Sequence, residues 1–252
     1  MQNDVEIVDF EEVDLTNAIV IAGFPSIGLV STITANYLID ALDLHQIGCV
    51  CCSQFPALSV VHTGEPLSPV RIYAGKQANG EKIVVFVSEF KPKPNLINDI
   101  SHAIMNWSVN KKCKLLISPE GMVVEGKGGG EDSSIEAYAI GSTSESRKML
   151  IDKNIAQFKN GIIAGVSGVL LNHGKQNSFG VISILAEAHP NYPDAKAAAA
   201  AINVMALIMG IEINVTPLYE ESERIEKQLQ KFHKQAKPMV SAGNAPQPNM
   251  YG

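Results

Sequence analysis

The feature that most constrains the fold of this chain is a sequence pattern typical of a buried strand, which a helical pattern follows at once. Residues 18–23 form an apolar run that lacks the polar alternation of a half-exposed strand, and Pro25 ends it. Helical spacing of apolar side chains then extends from Gly28 to Leu42. The pattern therefore predicts an α/β fold.

Strand-like and helix-like segments continue to alternate beyond this unit. Short connections favour antiparallel or meander pairing of four further strands, at residues 47–52, 58–61, 70–73 and 82–87. Later strands are expected at residues 114–118, 161–165 and 180–185, and a glycine-rich loop at residues 126–132.

The same pass along the chain predicts four helices after the meander. They are expected from Asn95 to about residue 110, from a capping box at residues 142–145 to about residue 153, near residues 167–172, and from Pro193 to about residue 210. The last of these is rich in alanine and is expected to be buried. Residues 1–215 thus form the predicted core domain.

The segment that follows the core differs from it in kind. Residues 216–236 begin with Thr216-Pro217, a favourable helix start, and their charges run from acidic to basic in the order that complements the helix dipole. The apolar stripe of this helix is thin and consists of Leu218, Ile225, Leu229 and Phe232. The stripe predicts a helix that projects from the domain and contacts another copy of the chain or a partner protein.

Composition restricts the partners of this protein. The chain has 252 residues, is 46% apolar and carries a formal net charge of −6. An acidic chain is not suited to nucleic-acid backbones or to an anionic membrane surface. The longest apolar run, at residues 197–211, is interrupted by Asn203 and is shorter than the roughly 20 residues that span a bilayer. We therefore expect neither a nucleic acid nor a membrane as partner.

Cysteine usage favours a reducing compartment. The four cysteines are Cys49, Cys51, Cys52 and Cys113, and three of them crowd into one predicted strand rather than forming a disulfide framework. The acidic N-terminus lacks the apolar core of a signal peptide, so a cytoplasmic location is expected. Cys49 and Cys51 share one strand face, where we interpret them as structural thiols.

Motifs for catalysis are incomplete. Gly23 and Gly28 have the spacing of a phosphate-binding loop, but Leu29 and Val30 stand where Lys and Ser or Thr would hold phosphate and Mg²⁺. Residues 165–169 are similar to a nucleophile elbow around Ser167, yet residue 169 is Val where the motif has Gly. We accordingly predict no catalytic residue, no metal and no cofactor.

Four polar residues define an alternative ligand site. Glu89, Glu120, Glu187 and His189 each follow the carboxyl end of a predicted strand, the edge at which α/β sheets bind ligands. Glu187 and His189 would supply an acid and a base to an enzyme or a small-molecule binder. The competing interpretation is that these groups cap helices and tie loops.

Residues 237–252 form a predicted flexible tail. Pro238, Pro246 and Pro248 disfavour helix and strand alike. The tail ends in Met250-Tyr251-Gly252, which combines a hydrophobic residue, a tyrosine and a terminal carboxylate. An anionic aromatic tip on a flexible tether is typical of a docking peptide.

Five segments together carry a resemblance to a known family. They read GFPSIGLV (23–30), FPALSVVHTGEP (55–66), VRIY (70–73), GVSGVLL (165–171) and AEAHPNYPD (186–194). In this order they resemble the archaeal proteasome assembly chaperones, which are related to the eukaryotic proteasome-assembly-chaperone subunits. The resemblance covers about residues 15–235, and Ser26 stands where the family usually has glycine.

The resemblance implies a fold and a partner. The implied fold is one α/β domain of a three-layer, phosphorylase- or hydrolase-like kind with a mixed sheet and no known catalysis. The implied function is ATP-independent assembly, by a homo-oligomer that docks its C-terminal tails on proteasome α-rings. The family's tail motif of hydrophobic residue, Tyr and any residue maps onto Met250, Tyr251 and Gly252, whose carboxylate would pair with a lysine between α subunits.

Three functions therefore remain open at this point. One is a proteasome assembly chaperone or activator that binds through its tail, and the second is an α/β enzyme or small-molecule binder. The third is a structural oligomer whose tail has no function. The sequence leaves the oligomer number open, with a tetramer as one candidate. It also leaves open whether the protein assembles α-rings or opens their gate.

Overall fold

The computed structural model describes residues 5–123 and 137–224. Within them lie ten strands: β1 Glu6–Asp9, β2 Ile19–Gly23, β3 His45–Cys51, β4 Val60–His62, β5 Glu65–Leu67, β6 Val70–Lys76, β7 Lys82–Ser88, β8 Leu115–Met122, β9 Ala137–Gly141 and β10 Val181–Glu187. The helices are α1 Val30–Ala41, α2 Pro94–Asn110, α3 Ser144–Asp152, α4 Gly165–Gln176 and α5 Ala195–Met209. A further helical segment covers residues 216–224.

Eight of the strands form one mixed sheet. Their order is β1-β3-β6-β7-β2-β8-β10-β9. The central strands β7, β2, β8 and β10 are parallel to one another, and the remaining pairs are antiparallel. The meander expected from the short connections is confirmed for β3, β6 and β7.

One predicted strand lies outside this sheet. The segment expected at residues 58–61 is found at Val60–His62, where it pairs with β5 in a separate hairpin. Pro56, Pro66 and Pro69 each remove a backbone donor around this hairpin. Missing donors oppose insertion into the middle of a sheet, which explains the difference.

Helices cover both faces of the sheet, so the protein has the three layers that the family resemblance implied. On one face, Ile19, Ile21, Ile83 and Val85 pack with α1 and α5. On the other face, the alternate residues of the same strands pack with α2 and α4, among them Val20, Val84 and Phe86. Strand side chains alternate between the two faces of the sheet, so a strand whose residues are all apolar contributes side chains to both cores.

The starts of α2, α3 and α5 differ from expectation, and α2 begins at Pro94 with Lys93 rather than Asn95 as its N-cap. Helix α3 is capped by Thr143, whose side chain accepts from the Ser146 amide while Ser146 bonds back to the Thr143 amide. The box expected from Ser142 to Glu145 is wrong by one residue, because Ser142 bonds to Phe179 and Val181 instead.

The start of α5 is also set by a residue other than the one expected. Asp194 caps this helix by accepting from the Ala197 amide at 2.9 Å. Pro193 therefore precedes the helix rather than occupying its first turn. A carboxylate at the helix start both satisfies a free amide and complements the helix dipole.

Residues 161–164 are not a strand, contrary to expectation. Gly161 and Gly165 have φ values of 150° and 73°, in the region that favours glycine, and Ile162 between them is 94% exposed. A strand pattern read from apolar content alone misses these glycine bends. The helix expected near residues 167–172 is present as the longer α4.

The first turns of the C-terminal helix pack on the domain. Leu218 is buried and belongs to the α1/α5 core, together with Ile211, Ile213 and Val215 of the preceding segment. Its expected place on a partner-facing stripe is therefore wrong, because the chain enters this helix directly against the core. Ile225, Leu229 and Phe232, and most of the proposed 216–236 unit, lie outside the described residues.

Candidate functional site

An open cavity of about 590 Å³ lies at the carboxyl end of β8. Three connections surround it: the turn after β2, the segment that leads into α2, and the loop before α4. The carboxyl ends of parallel strands are where open α/β sheets leave room for a ligand. The volume is within the range of small-molecule sites.

Glu120 is the acidic side chain in the wall of this cavity. The Ser167 hydroxyl donates to its Oε1 at 2.5 Å, and Ser167 also bonds to the Ser118 hydroxyl. Ser118 and Glu120 share a face of β8 because they are two residues apart, and α4 packs on that face with Ser167 in its first turn. The carboxyl group is thus fixed between a strand and the start of a helix.

Burial governs the titration of Glu120. Desolvation raises the pKa of its carboxyl group to about 7, while Ser167, Lys91 and Ser26 each act in the opposite direction. A carboxyl group with such a pKa changes charge near neutral pH. Among the residues that are predicted to bind a ligand, Glu120 is the one that lines the described cavity.

The turn after β2 closes one side of the cavity. The Ser26 hydroxyl oxygen accepts from the Ser31 amide at 3.2 Å and from the Gly121 amide at 3.3 Å. A Cβ on Gly121 would lie 2.0 Å from the Ile27 carbonyl oxygen, so this turn rests directly on β8. Ser26 therefore ties the β2 turn to the strand that carries Glu120.

The glycines of this turn are structural. A Cβ on Gly23 would lie 2.3 Å from the Ala35 Cβ, and Gly28 has a φ of 60° with little space around it. Leu29 follows it with a φ of 51°. Two successive left-handed residues let the chain turn tightly from β2 into α1, and the glycines serve this turn.

The other expected ligand residues have separate structural roles. Glu89 forms an ion pair of 2.5 Å with Arg71, whose side chain is 5% exposed. Arg71 also donates to Tyr73 and to the Ser68 carbonyl. Glu89 thus satisfies a buried guanidinium on β6.

His189 and Glu187 do not line the cavity among the residues that the structure describes. The His189 ring stacks on Tyr192 with centroids 4.8 Å apart, and its amide donates to Asp194 at 3.0 Å. Glu187 ends β10, opposite Met122 in register. The sequence predicts that all four residues lie at one sheet edge. In the structure Glu120 lines the cavity, whereas Glu89 pairs with Arg71 and His189 stacks on Tyr192.

Ser167 is not arranged as a nucleophile. Its side chain is 0% exposed, and its hydroxyl is held between Ser118 and Glu120. A substrate carbonyl has no approach to such a hydroxyl. The elbow-like sequence at residues 165–169 reflects the first turn of α4 instead.

Three features bear on cofactors, membranes and thiols. In residues 5–123 and 137–224, no three His, Cys, Asp or Glu side chains are grouped to hold a metal ion, and no helix is long and apolar enough to cross a membrane. Cys49 and Cys51 have sulfur atoms 3.6 Å apart as free thiols. Burial, and next the bond to Cys49, raise the pKa of Cys51 to about 11.

A second, smaller cavity was not anticipated from the sequence. It measures about 310 Å³ and lies between α3, α4 and the loop before α4. Arg147, Lys159 and Lys175 line it, and Arg147 donates to the Gly141 and Ser142 carbonyl oxygens. The three cations are far apart in sequence, so no local motif indicates them.

Met250, Tyr251 and Gly252 lie outside the described residues.

The fold and cavity together define a class of protein. It is a three-layer α/β protein on a mixed eight-stranded sheet, with an open cavity at the carboxyl edge and a fully buried serine where a nucleophile was conceivable. The chain belongs to the PAC2 family, because the model of that family matches residues 20–233.

Solved structures and relatives agree with this assignment. The chain is 31% identical to PbaA of Pyrococcus furiosus, described as an archaeal homolog of proteasome-assembly chaperone, with a TM-score of 0.81 over 94% of this chain and 95% of that chain. PbaB of the same organism, described as an archaeal proteasome activator, is 22% identical with a TM-score of 0.80 over 92% and 100% of the two chains, and supports the fold. An uncharacterized protein of Methanocaldococcus jannaschii is 29% identical over 96% of each chain.

Proposed function

We propose that this protein is an assembly chaperone of the proteasome core particle, acting by binding rather than by catalysis. The observation that carries the proposal is the similarity to PbaA, which extends over 94% of the chain at 31% identity. A buried Ser167 without an approach for substrate agrees with a binding protein. An ATP-independent, cytoplasmic homo-oligomer is part of the same proposal.

The proposed contact is the C-terminal tail. Met250 and Tyr251 would enter a pocket between α subunits, and the carboxylate of Gly252 would pair with a lysine there. A tyrosine is a rigid anchor with an apolar body and a polar tip, which suits a small pocket at an interface. A charge-assisted pair with the carboxylate adds orientation.

Several tails on one oligomer would bind together. A second tail that is already tethered binds at a high effective concentration, so the avidity exceeds the affinity of one tail. This arrangement would let weak individual contacts hold α subunits during assembly. It also makes the oligomer number a determinant of function.

The proposal is tested by a pull-down of purified proteasome α subunits with the full chain and with a chain that lacks residues 250–252. We expect binding with the full chain and its loss on truncation, at unchanged oligomer size in gel filtration. Equal capture by both chains would assign recognition to the body of the protein and refute tail docking. Absence of capture by either chain would refute the proteasome as partner.

A point substitution sharpens this test. Tyr251→Ala removes the aromatic anchor, and we expect about a thirtyfold loss of affinity per tail, corresponding to about 2 kcal/mol. Tyr219→Ala is the matched control, because Tyr219 is an exposed tyrosine on the described helix outside the tail. Calorimetric titration with α-rings measures both, and equal affinities for the two variants would contradict the anchor role.

A further inference from the structure

Among the described residues, the cavity at the carboxyl end of β8 combines apolar walls with one acidic side chain. Its apolar walls include Phe24, Ile27, Ile97, Phe158, Ile163 and Leu185. Glu120 contributes its carboxyl group to the same wall and is held there by Ser167 at 2.5 Å. We propose that this cavity, hereafter the Glu120 cavity, binds a small molecule that carries an ammonium group on an apolar body.

The acidic group is oriented by donors that favour its charged form. Ser167 donates to Glu120, and Ser26 also interacts with the carboxyl group through its hydroxyl. Ser26 and Ser167 are anchored on different elements, the turn after β2 and the first turn of α4. Two fixed hydroxyls hold the carboxylate in one place without neutralising it, so it retains the capacity to pair with a cation.

A cation fits this site better than an anion does. The N-terminal turn of α4, whose positive dipole end would attract an anion, already faces Glu120 through Ser167. A ligand carboxylate would therefore meet Glu120 itself at close range. A ligand ammonium would add an ion pair to the interactions that Glu120 already has with the Ser167 and Ser26 hydroxyls.

The charged groups around the cavity leave Glu120 available. Lys91 also lines it and its positive charge lowers the pKa of Glu120, but its side chain is exposed, so solvent screens that charge. Glu89 is engaged by Arg71, and Glu187 lies outside the cavity lining. Glu120 is therefore the carboxylate that a ligand cation would meet in the described wall of the cavity.

Size and titration agree with such a ligand. A volume of about 590 Å³ accommodates a molecule with an aromatic or short aliphatic body. Burial raises the pKa of Glu120 to about 7, so the carboxylate is incompletely formed at neutral pH. Because an ammonium binds the ionised form, its affinity follows the ionised fraction, and binding in turn lowers the pKa of Glu120.

The test compares two probes of similar size and opposite charge, 2-phenylethylamine and phenylacetate, with the full chain at pH 6, 7 and 8. Binding is followed by NMR shifts of the protein or by calorimetry. We expect saturable binding of the amine that strengthens roughly tenfold from pH 6 to pH 8, because the ionised fraction of Glu120 rises over that range. Stronger binding of phenylacetate, or amine affinity that falls with pH, would overturn the proposal.

Variants assign the binding to the cavity. Glu120→Gln keeps an acceptor for Ser167 but removes the charge, and we expect at least a tenfold loss of amine affinity and loss of its pH dependence. Glu187→Gln is the matched control and should leave the affinity unchanged, since Glu187 is outside the described cavity lining. Unaltered binding to a folded Glu120→Gln protein would refute the assignment.

A second variant protects the test against misfolding. Ile27 lines the cavity and is 40% exposed, so Ile27→Trp fills the space without disturbing the core. We expect this variant to lose amine binding at unchanged melting temperature. Retained binding, or no saturable binding of the amine to the unsubstituted protein at millimolar concentration, would refute the proposal. The outcome is independent of tail docking, which the pull-down tests separately.

Discussion

The two helical layers of this protein cover the same sheet but differ in chemistry. The α1/α5 layer is mainly apolar: every buried residue of α5 is Ala, Ile or Met, and the buried polar residues of α1 are Ser31 and Thr34. The α2/α4 layer contains buried polar groups, among them Ser108, Ser118, Ser167 and His173, and the Glu120 cavity opens on this side. Burying polar groups lowers stability unless they are bonded, so one layer is organised for stability and the other carries the groups available to a site.

The largest expected effect concerns the α1/α5 layer. Ile202 is fully buried in α5, and Ile202→Ala should destabilise the protein by about 2–5 kcal/mol because it removes buried methyl groups and leaves a cavity. Leu207→Ala on the same helix is the control, since Leu207 is 56% exposed and should change stability by about 0.5 kcal/mol or less. Urea unfolding measures both, and similar losses would contradict the tight packing of the buried face of α5.

An intermediate effect is expected in the polar layer. Ser167→Ala removes the donor to Glu120 and a partner of Ser118, which should destabilise the protein by about 1–3 kcal/mol and raise the pKa of Glu120 further. Ser101→Ala is the matched control, because the buried Ser101 hydroxyl donates to the Ile97 carbonyl within its own helix, α2. Equal stability of both variants would show that the serine network contributes nothing specific.

The pH dependence of stability offers a finer comparison. The folded-state pKa of Glu120 is raised to about 7 from an ordinary value of 4.5, so the folded protein binds more protons than the unfolded chain between these values. Stability should therefore fall as pH rises from about 4.5 to 7, and Glu120→Gln should remove this slope. Unfolding free energies at several pH values measure the difference, and parallel curves for the two proteins would contradict it.

The smallest effect is expected at His173. Its ring lies 3.8 Å from that of His102, and burial first and His102 second lower the pKa of His173. A lowered pKa means that the unfolded chain binds the proton more readily, so stability should decline as pH falls below about 6.5. His173→Asn should flatten that decline in the same unfolding series, whereas an unchanged slope would place the titrating group elsewhere.

The fold was accessible from the sequence because periodicity reports burial directly. The apolar run at residues 18–23 predicts a strand with two buried faces, and β2 feeds both cores. The start of α3 was misplaced by one residue, because Ser142 and Thr143 are both suitable caps and the tertiary contact with Phe179 decides between them. Propensity cannot choose between neighbours when a long-range bond does.

The site was less accessible. The sequence placed Glu120 at a sheet edge, but its partner Ser167 is 47 positions away and Ser26 lies before it on another turn. Which carboxylate lines a cavity and which satisfies a buried arginine depends on pairing that a single sequence does not reveal. Glu89 and Glu120 carry the same local signal and have different roles.

The strand order has a practical consequence for labelling. Strand β1 forms one edge of the sheet, and four strand spacings separate it from β2, beside which the Glu120 cavity lies. At about 4.8 Å per spacing, a dye or affinity tag that is attached on the N-terminal side of β1 lies about 19 Å from the cavity in the plane of the sheet. Fusion at this end keeps Gly252 as the last residue, so reporters for ligand uptake and for tail docking can be combined in one molecule.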